Sequence, residues 1–345
     1  MKRVLRRLGW SVFVVWAVVS LAFAVNNLLP GDPARMVTGA QARPADVARV
    51  RAQLGIGDPA LVQYARFWRR LVHLGPRVID PQADPAHASC ASVIPLGASA
   101  VHLDFGKSFM KHAPVVDLVA TRLPRTFALA AAGVVVQLLF GLLTGVVAAS
   151  RRGTRLDRLI VGTSVLGISA PTFLTALALQ LVFARGLGWL PIDGFGTTLG
   201  EHARCLVLPA ITLGVYGAAY YTRLVRDEMA VLLQQDWVRT ARAKGAPPWR
   251  VLLRHGVRNA LLPVVTAAGL DFGALMGGAV VTETVFRWPG LGELSVQALL
   301  NRDGPVIVAS VIVTSVAIVG ANLLVDAVTP KLDPRAADRS VAGPT

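Results

Sequence analysis

An all-α integral membrane protein with six transmembrane helices is the fold class this sequence predicts, on three observations. Hydrophobic residues fill 54% of the 345 positions and charged residues only 16%, and the charges cluster between apolar stretches instead of alternating along helices. Six apolar runs centre on 8–28, 126–149, 159–184, 206–224, 260–284 and 306–329. Each approaches the roughly 20 residues a helix needs to cross about 30 Å of hydrocarbon. The net charge of +15 falls on one face: with the N-terminus inside, inner segments hold 19 of the 35 basic residues and 7 of the 20 acidic ones. Basic residues next to the inner membrane ends are the positive-inside pattern that sets topology, and this distribution argues against nucleic acid as a partner.

The first run, after Lys2-Arg3 and Arg6-Arg7, carries Ala22-Phe23-Ala24 in the manner of a cleavable signal. Its apolar length continues past that point, so a retained helix is expected. Pro30-Gly31-Asp32-Pro33 ends it. Residues 30–119 then form an extracytoplasmic segment, long enough to be a structured element and not a mere connector. Within it, Ala45 to Leu54 and Ala60 to Leu74 have helical apolar spacing, with Asp46 and Asp58 as candidate N-caps. Residues 76–103, rich in Pro, Ala, Ser and His, read as irregular loop. The two cysteines, Cys90 and Cys205, both fall outside and are expected as separate free thiols in preference to a bridge; they make no metal-ligand spacing.

The third and fifth runs are rich in Gly, Ala, Ser and Thr, as closely packed membrane helices are. Pro171, Pro209 and Pro263 are expected to kink or end helices, and Gly277-Gly278 to allow close helix approach. Asp271 lies near the middle of the fifth run, where a charge costs at least about 2.5–3.5 kcal/mol. It reads either as a polar group on a solute path or as a carboxyl bonded to a neighbouring helix. Glu283 and Arg287, at the outer end of that run, read as outer gate or interface.

Residues 230–258 form the one sizeable inner element. Gln234 to Ala243 can form a short helix, Gly245 is placed to end it in a left-handed cap, and Pro247-Pro248 forbids its continuation. Arg239, Arg242 and Lys244 project from it. On charge alone this is a solvated basic loop. The residue order changes that reading. Asp236-Trp237-Val238-Arg239-Thr240-Ala241-Arg242-Ala243-Lys244-Gly245, then Arg254-His255 and Asn259-Ala260-Leu261-Leu262-Pro263, resembles the EAA-type coupling loop of peptide-importer permeases. That family serves the dipeptide, oligopeptide, nickel and glutathione transporters of the ATP-binding-cassette (ABC) class. The Glu of the EAA pattern is absent, with Arg239-Thr240-Ala241 in its place.

Leu28-Leu29-Pro30-Gly31-Asp32-Pro33, Asp104-Phe105-Gly106-Lys107-Ser108, Leu187-Gly188-Trp189-Leu190-Pro191 and Thr282-Glu283-Thr284-Val285-Phe286 are similar to the family's sequence. So are Trp288-Pro289-Gly290-Leu291-Gly292, Asn301-Arg302-Asp303 and Asn322-Leu323-Leu324-Val325-Asp326. The chain departs from the pattern in about 25 extra residues, Val78 to Leu103, and in Gly304 after Arg-Asp.

The resemblance implies a type I ABC importer transmembrane fold in the bacterial cytoplasmic membrane, both termini inside. It divides the chain into an N-terminal helix (1–29), the outer region (30–119, with the insertion at 78–103), a core (120–329, with the coupling loop at 230–258) and a tail (330–345). It implies that Asp236, Arg239, Thr240, Ala241, Lys244, Gly245 and His255 meet an ATPase; Asp271, Glu283 and Arg287 stay, on their positions alone, the candidates for path or gate. The implied partners are a second homologous permease, two ABC ATPase subunits, a solute-binding protein and the bilayer. No cofactor is expected on this chain, ATP and Mg belonging to the ATPases. No GxxxxGK[ST], HExxH or GxSxG occurs, and Asp104-Phe105-Gly106 lacks the rest of a kinase signature. Short peptides lead as solute, with nickel-chelates, glutathione and oligosaccharides as alternatives. A secondary transporter or channel is the rival class, weakened by a single intramembrane acid and no internal repeat.

Overall fold

A computed structural model describes residues 2–28, 33–39, 41–54, 57–76, 89–96, 99–247 and 250–332. The 29–32 part of the motif after the first helix and the 335–345 tail lie outside these residues. Two compact units divide the chain, Met1–Pro124 with Gly290–Val316, and Arg125–Pro289 with Ala317–Thr345.

In the first unit, α1 (Lys2–Leu28), α2 (Pro33–Thr38), α3 (Pro44–Leu54) and α4 (Ala60–Leu71) precede a three-stranded sheet. Tyr64, Phe67, Trp68 and Leu71 recur on α4 at helical spacing and so form one apolar face. That face meets α1: Tyr64 and Phe67 pack on Phe23, and the Ser20 and Tyr64 hydroxyls share a 2.6 Å hydrogen bond. Val19, Leu71, Val308 and Ile312 close the core behind it. The expected caps are elsewhere: Asp46 lies inside the first turn of α3, paired with Arg49, and Asp58 pairs with Arg66 at 2.6 Å while Pro59 occupies the cap of α4.

Residues 76–103 are not all irregular. β1 (Val72–Pro76), β2 (Cys90–Leu96) and β3 (Ser99–Asp104) pair antiparallel in the order β1–β3–β2, with a bulge between Ser92 and Ile94. The alternation that marks a strand is present in β3 but inverted in chemistry. Ala100, His102 and Asp104 are the buried positions, whereas Leu74 on β1 and Ile94 on β2 are exposed. The first strand also takes over Val72 to Leu74, so α4 ends at Leu71.

The same unit contains the start of α5 (Val115–Ser150), α12 (Leu291–Leu300) and the start of α13 (Gly304–Leu332). Val115, Val119, Leu291, Leu294, Ala298, Val306 and Ala309 form their common core.

The second unit is built on α5, α6 (Arg155–Ser169), α7 (Thr172–Leu179), α8 (Leu199–Leu232), α9 (Asp236–Ala243), α10 (Arg258–Gly278), α11 (Val280–Val285) and the rest of α13. Four stretches among the described residues are helical, long and apolar enough to cross a membrane: 115–150, 199–232, 251–277 and 304–328. The third apolar run is instead a bent pair, α6 and α7, turning by 102° at a break that contains Pro171. Proline has no N–H to continue the ladder of α6, and Ala170 bonds back to Leu166 to close it. A π-helical turn, Gln180–Gly186, follows α7. The apolar part of α1 is shorter, Gly9–Val25. Pro209 and Pro263 end no helix; each lies inside a continuous one. The fifth run is interrupted at Ala279, just after Gly277-Gly278, two residues of weak helix propensity.

Small residues set the helix spacing. A Cβ placed on Gly141 of α5 would lie 2.3 Å from the Tyr221 Cβ of α8, and one on Gly145 would lie 2.7 Å from that of Val225. Tyr221, Val225 and Met229 of α8 then pack with Ala149 of α5 and with Ala260, Val264 and Ala268 of α10. On its outer side α5 leaves Phe127, Val135, Leu139 and Leu143 exposed, an apolar stripe suited to lipid or to another membrane helix. Both cysteines are free thiols.

Candidate functional site

The inner element is a short helix suspended between two long ones. After α8, Leu233 to Gln235 make a turn, and Trp237 Nε1 donates to Gln235 Oε1 at 2.7 Å. α9 then runs for two turns and, among its described side chains, buries Val238 alone, while Asp236, Arg239 and Thr240 are exposed. The Arg239 and Asp236 pair spans 3.8 Å with both side chains almost bare, so solvent screening leaves it weak.

At the C-terminal end, Gly245 has φ +78° and the Ala246 N–H donates to the Ala241 carbonyl at 3.1 Å. That bond and the left-handed glycine form the Schellman-type stop expected from the sequence. Lys244 is exposed beside it. The chain resumes as a π-helical segment, Val251–Val257, which leads into α10. That segment packs against both α9 and α8, with Val251 buried and Gly256 lying against the Met229 methyl. His255 belongs to this segment by its backbone; its side chain, like that of Arg242, lies outside the described residues.

The three residues expected at the path or gate fall in three different settings. Asp271 is half-buried on α10, with the Tyr221 hydroxyl donating to its carboxylate over a long 3.5 Å. Glu283 is fully buried and accepts from the Thr126 hydroxyl at 2.7 Å. It therefore holds α5 to α11 from inside this chain. Arg287 is 81% exposed, with φ +48°, and approaches Asp193 at 3.5 Å. Around it, Thr282, Phe286 and Trp288 are buried, and Trp288 Nε1 donates to the Arg125 carbonyl at 3.0 Å. The 282–290 motif is thus a packed corner with one cation projecting from it.

In the other unit, two motifs distant in sequence meet. Asp303, 3% exposed, accepts from the Ser108 hydroxyl, from the Phe109 N–H at 3.1 Å and from the Met110 N–H at 3.4 Å. Asp104 similarly accepts from the Gly106 N–H at 2.7 Å and from Arg70 at 2.9 Å. Aspartate is suited to both positions because one carboxylate can satisfy several donors in a tight turn.

The start of α6 and the C-terminal part of α8 hold an ion pair that the sequence pattern did not single out. Asp157, in the first turn of α6, accepts from Arg226 Nε at 2.6 Å and Nη2 at 3.0 Å, joining α6 to α8. Among the described residues no group of three His, Cys, Asp or Glu side chains is placed to hold a metal ion.

With this geometry in place, comparison with known proteins decides the family. The model of binding-protein-dependent transport system inner membrane components matches residues 141–338, and the model of the N-terminal part of such components matches residues 1–130. The chain belongs to this family. It is a membrane permease subunit of an ABC transporter, with several apolar helices in the inner membrane. The permease is 35% identical to a peptide transport system permease protein of Brucella abortus over 335 residues, 96% of this chain and 98% of the relative. It is 38% identical to the glutathione transport system permease protein GsiC of Salmonella paratyphi A over 331 residues, 96% and 97% of the two chains. It shares the type I importer transmembrane fold with a chain of the MetNI methionine ABC transporter in an inward facing conformation. That match has a TM-score of 0.50 and 20% identity, and covers 62% of this permease and 98% of that chain.

Proposed function

We propose that this permease moves short peptides across the cytoplasmic membrane by alternating access, driven through α9 by an ATPase subunit. The observation that carries the reading is the mounting of α9. It is exposed and basic, anchored by Val238, joined to the end of α8 by a short turn and to α10 through the π-helical segment Val251–Val257. A partner that grips Arg239, Thr240, Ala241 and Lys244 and shifts α9 displaces both long helices together. The peptide assignment is supported by the peptide and glutathione permeases at 35–38% identity, glutathione being a tripeptide.

The rest of the assembly follows from the family. Two ABC ATPases bind and hydrolyse ATP with Mg, since this chain carries no phosphate-binding loop. A solute-binding protein delivers to the outer side, and a second homologous permease completes the path. α1 is the first of six spans, both termini are inside in keeping with the clustering of Lys and Arg next to those membrane ends, and the outer region occupies 30–119, the core 120–329. Asp271 faces the path, where its carboxylate attracts a peptide's amino group. Arg287 stands at the outer gate.

Gly245→Asp tests the reading. A side chain at φ +78° strains the cap of α9 by about 1–2 kcal/mol and displaces its docking surface. The variant is expected to assemble with its partners and to hydrolyse ATP without accumulating radiolabelled dialanine or glutathione in whole cells. Normal accumulation of either solute removes α9 from its assigned role.

A further inference from the structure

The turn that joins α5 to α6 is basic and exposed, apart from one residue. Arg151, Arg152, Arg155 and Arg158 are all exposed, whereas Asp157 among them is 3% exposed. Its carboxylate is filled by three donors: the two guanidinium nitrogens of Arg226 and the Gly153 N–H at 2.9 Å. The same side chain therefore ties the turn after α5, the first turn of α6 and the inner end of α8. Arg226 also donates to Asp227 at 2.9 Å, but that partner is 69% exposed.

A partly buried ion pair such as this, with Arg226 23% exposed, contributes little net stability, because desolvation and solvent screening offset the attraction; what it adds is a defined register. A bidentate guanidinium–carboxylate pair is specific in this respect, since its two parallel bonds fix both position and angle. The packing nearby gives that register a task. α8 is fixed to α5 by the close approach at Gly141 and Gly145. Where α5, α6 and α8 meet, about one turn from the pair, lies an open cavity of about 240 Å³ lined by Phe140, Thr144, Ile160, Ser164, Val215 and Ala219 among others, and beyond it Gly167 of α6 packs on Val215 and Ala219 of α8. Apolar walls around a cavity can slide. The ion pair is the directional tie at the inner end, and Arg226 lies only ten residues before the start of α9.

We infer that Asp157 and Arg226 are a positioning pair that makes α6, and with it the bent α6–α7 span, follow α8 when α9 is displaced. The inference rests on the role of α9 proposed above and adds the route by which its movement reaches the third span. Without the pair, α9 moves α8 and α10 while α6 lags behind.

The test is hydrogen–deuterium exchange on the detergent-purified complex, with and without ATP plus vanadate, followed in residues 155–169 and 236–243. The unaltered complex is expected to respond in both segments. In Asp157→Asn and Arg226→Gln the response of 236–243 persists and that of 155–169 is lost. The exchanged pair, Asp157→Arg with Arg226→Asp, restores the response, and Arg226→Lys, which keeps the charge but not the two parallel bonds, gives an intermediate one. An unchanged response of 155–169 in the single variants overturns the inference. So does a loss of assembly or of response that the exchanged pair fails to repair, which would give the pair a purely structural role. A complex whose 236–243 segment ignores nucleotide sinks the reading of α9 and the inference with it. A segment that responds while α6 is indifferent to the variants sinks the pair alone.

Discussion

Gly141→Ala probes the contact that fixes α5 against α8. An added Cβ would stand 2.3 Å from the Tyr221 Cβ and 3.2 Å from the Ala218 carbonyl oxygen, and Tyr221 is completely buried. Carbon atoms rest about 3.5–4.0 Å apart, so the two helices must separate by more than 1 Å or Tyr221 must leave its place. Overpacking of this kind costs about 1–3 kcal/mol. Better helix propensity returns about 0.8–1.0 kcal/mol of it. The net expectation is a loss of up to about 2 kcal/mol, or a melting temperature lower by up to about 8 °C at the roughly 2–4 °C per kcal/mol of a domain of about 150–250 residues. Gly162→Ala in α6 is the matched control, because a Cβ there meets no atom within 4 Å and only the propensity gain remains. Both variants are measured by thermal unfolding of the purified chain in detergent, followed by tryptophan fluorescence. Overpacking is refuted if Gly141→Ala melts above the unaltered protein by as much as Gly162→Ala does.

Asp303→Ala removes the acceptor for the Ser108 hydroxyl and two N–H groups, and should cost about 1–3 kcal/mol. Limited proteolysis should then cut within 106–115; an unchanged digest would contradict this. Thr126→Val takes a 2.7 Å donor from the buried Glu283 carboxylate, and should lower the melting temperature by a similar free energy. Equal melting would show that the bond is dispensable. Asp271→Asn is expected to reduce uptake of radiolabelled dialanine while its partners still co-purify. Failure to assemble would place Asp271 at a helix interface instead.

What was legible in the sequence is what depends on local chemistry. Apolar length marked the runs 126–149, 206–224, 260–284 and 306–329, which overlap the long apolar helical stretches 115–150, 199–232, 251–277 and 304–328, and Gly245 before Pro247 announced the left-handed stop of α9. The 159–184 run also read as apolar, but composition alone cannot distinguish one straight helix from two at 102°. The sheet escaped because its inward face is Ala100, His102 and Asp104, not a row of branched apolar residues. Asp303 was visible as part of a motif, yet its partner Ser108 lies 195 positions away; Asp157 and Arg226 are 69 apart. Such pairings are settled by how helices pack, and no local pattern encodes them. Glu283 was read as outer gate or interface because it ends a span; that it accepts from Thr126, 157 positions away, is again a matter of helix packing.

The central claim is that this chain is one of two permease subunits, turned by ATPases that grip α9. Mass spectrometry of what co-purifies with the tagged chain, expressed from its native locus in mild detergent, tests it most directly. The account predicts a second homologous six-helix permease together with ABC ATPase subunits, and loss of the ATPases' coupling in Gly245→Asp. Recovery of the chain alone, or of a homo-oligomer without any ATPase, would contradict it and favour a secondary transporter or channel.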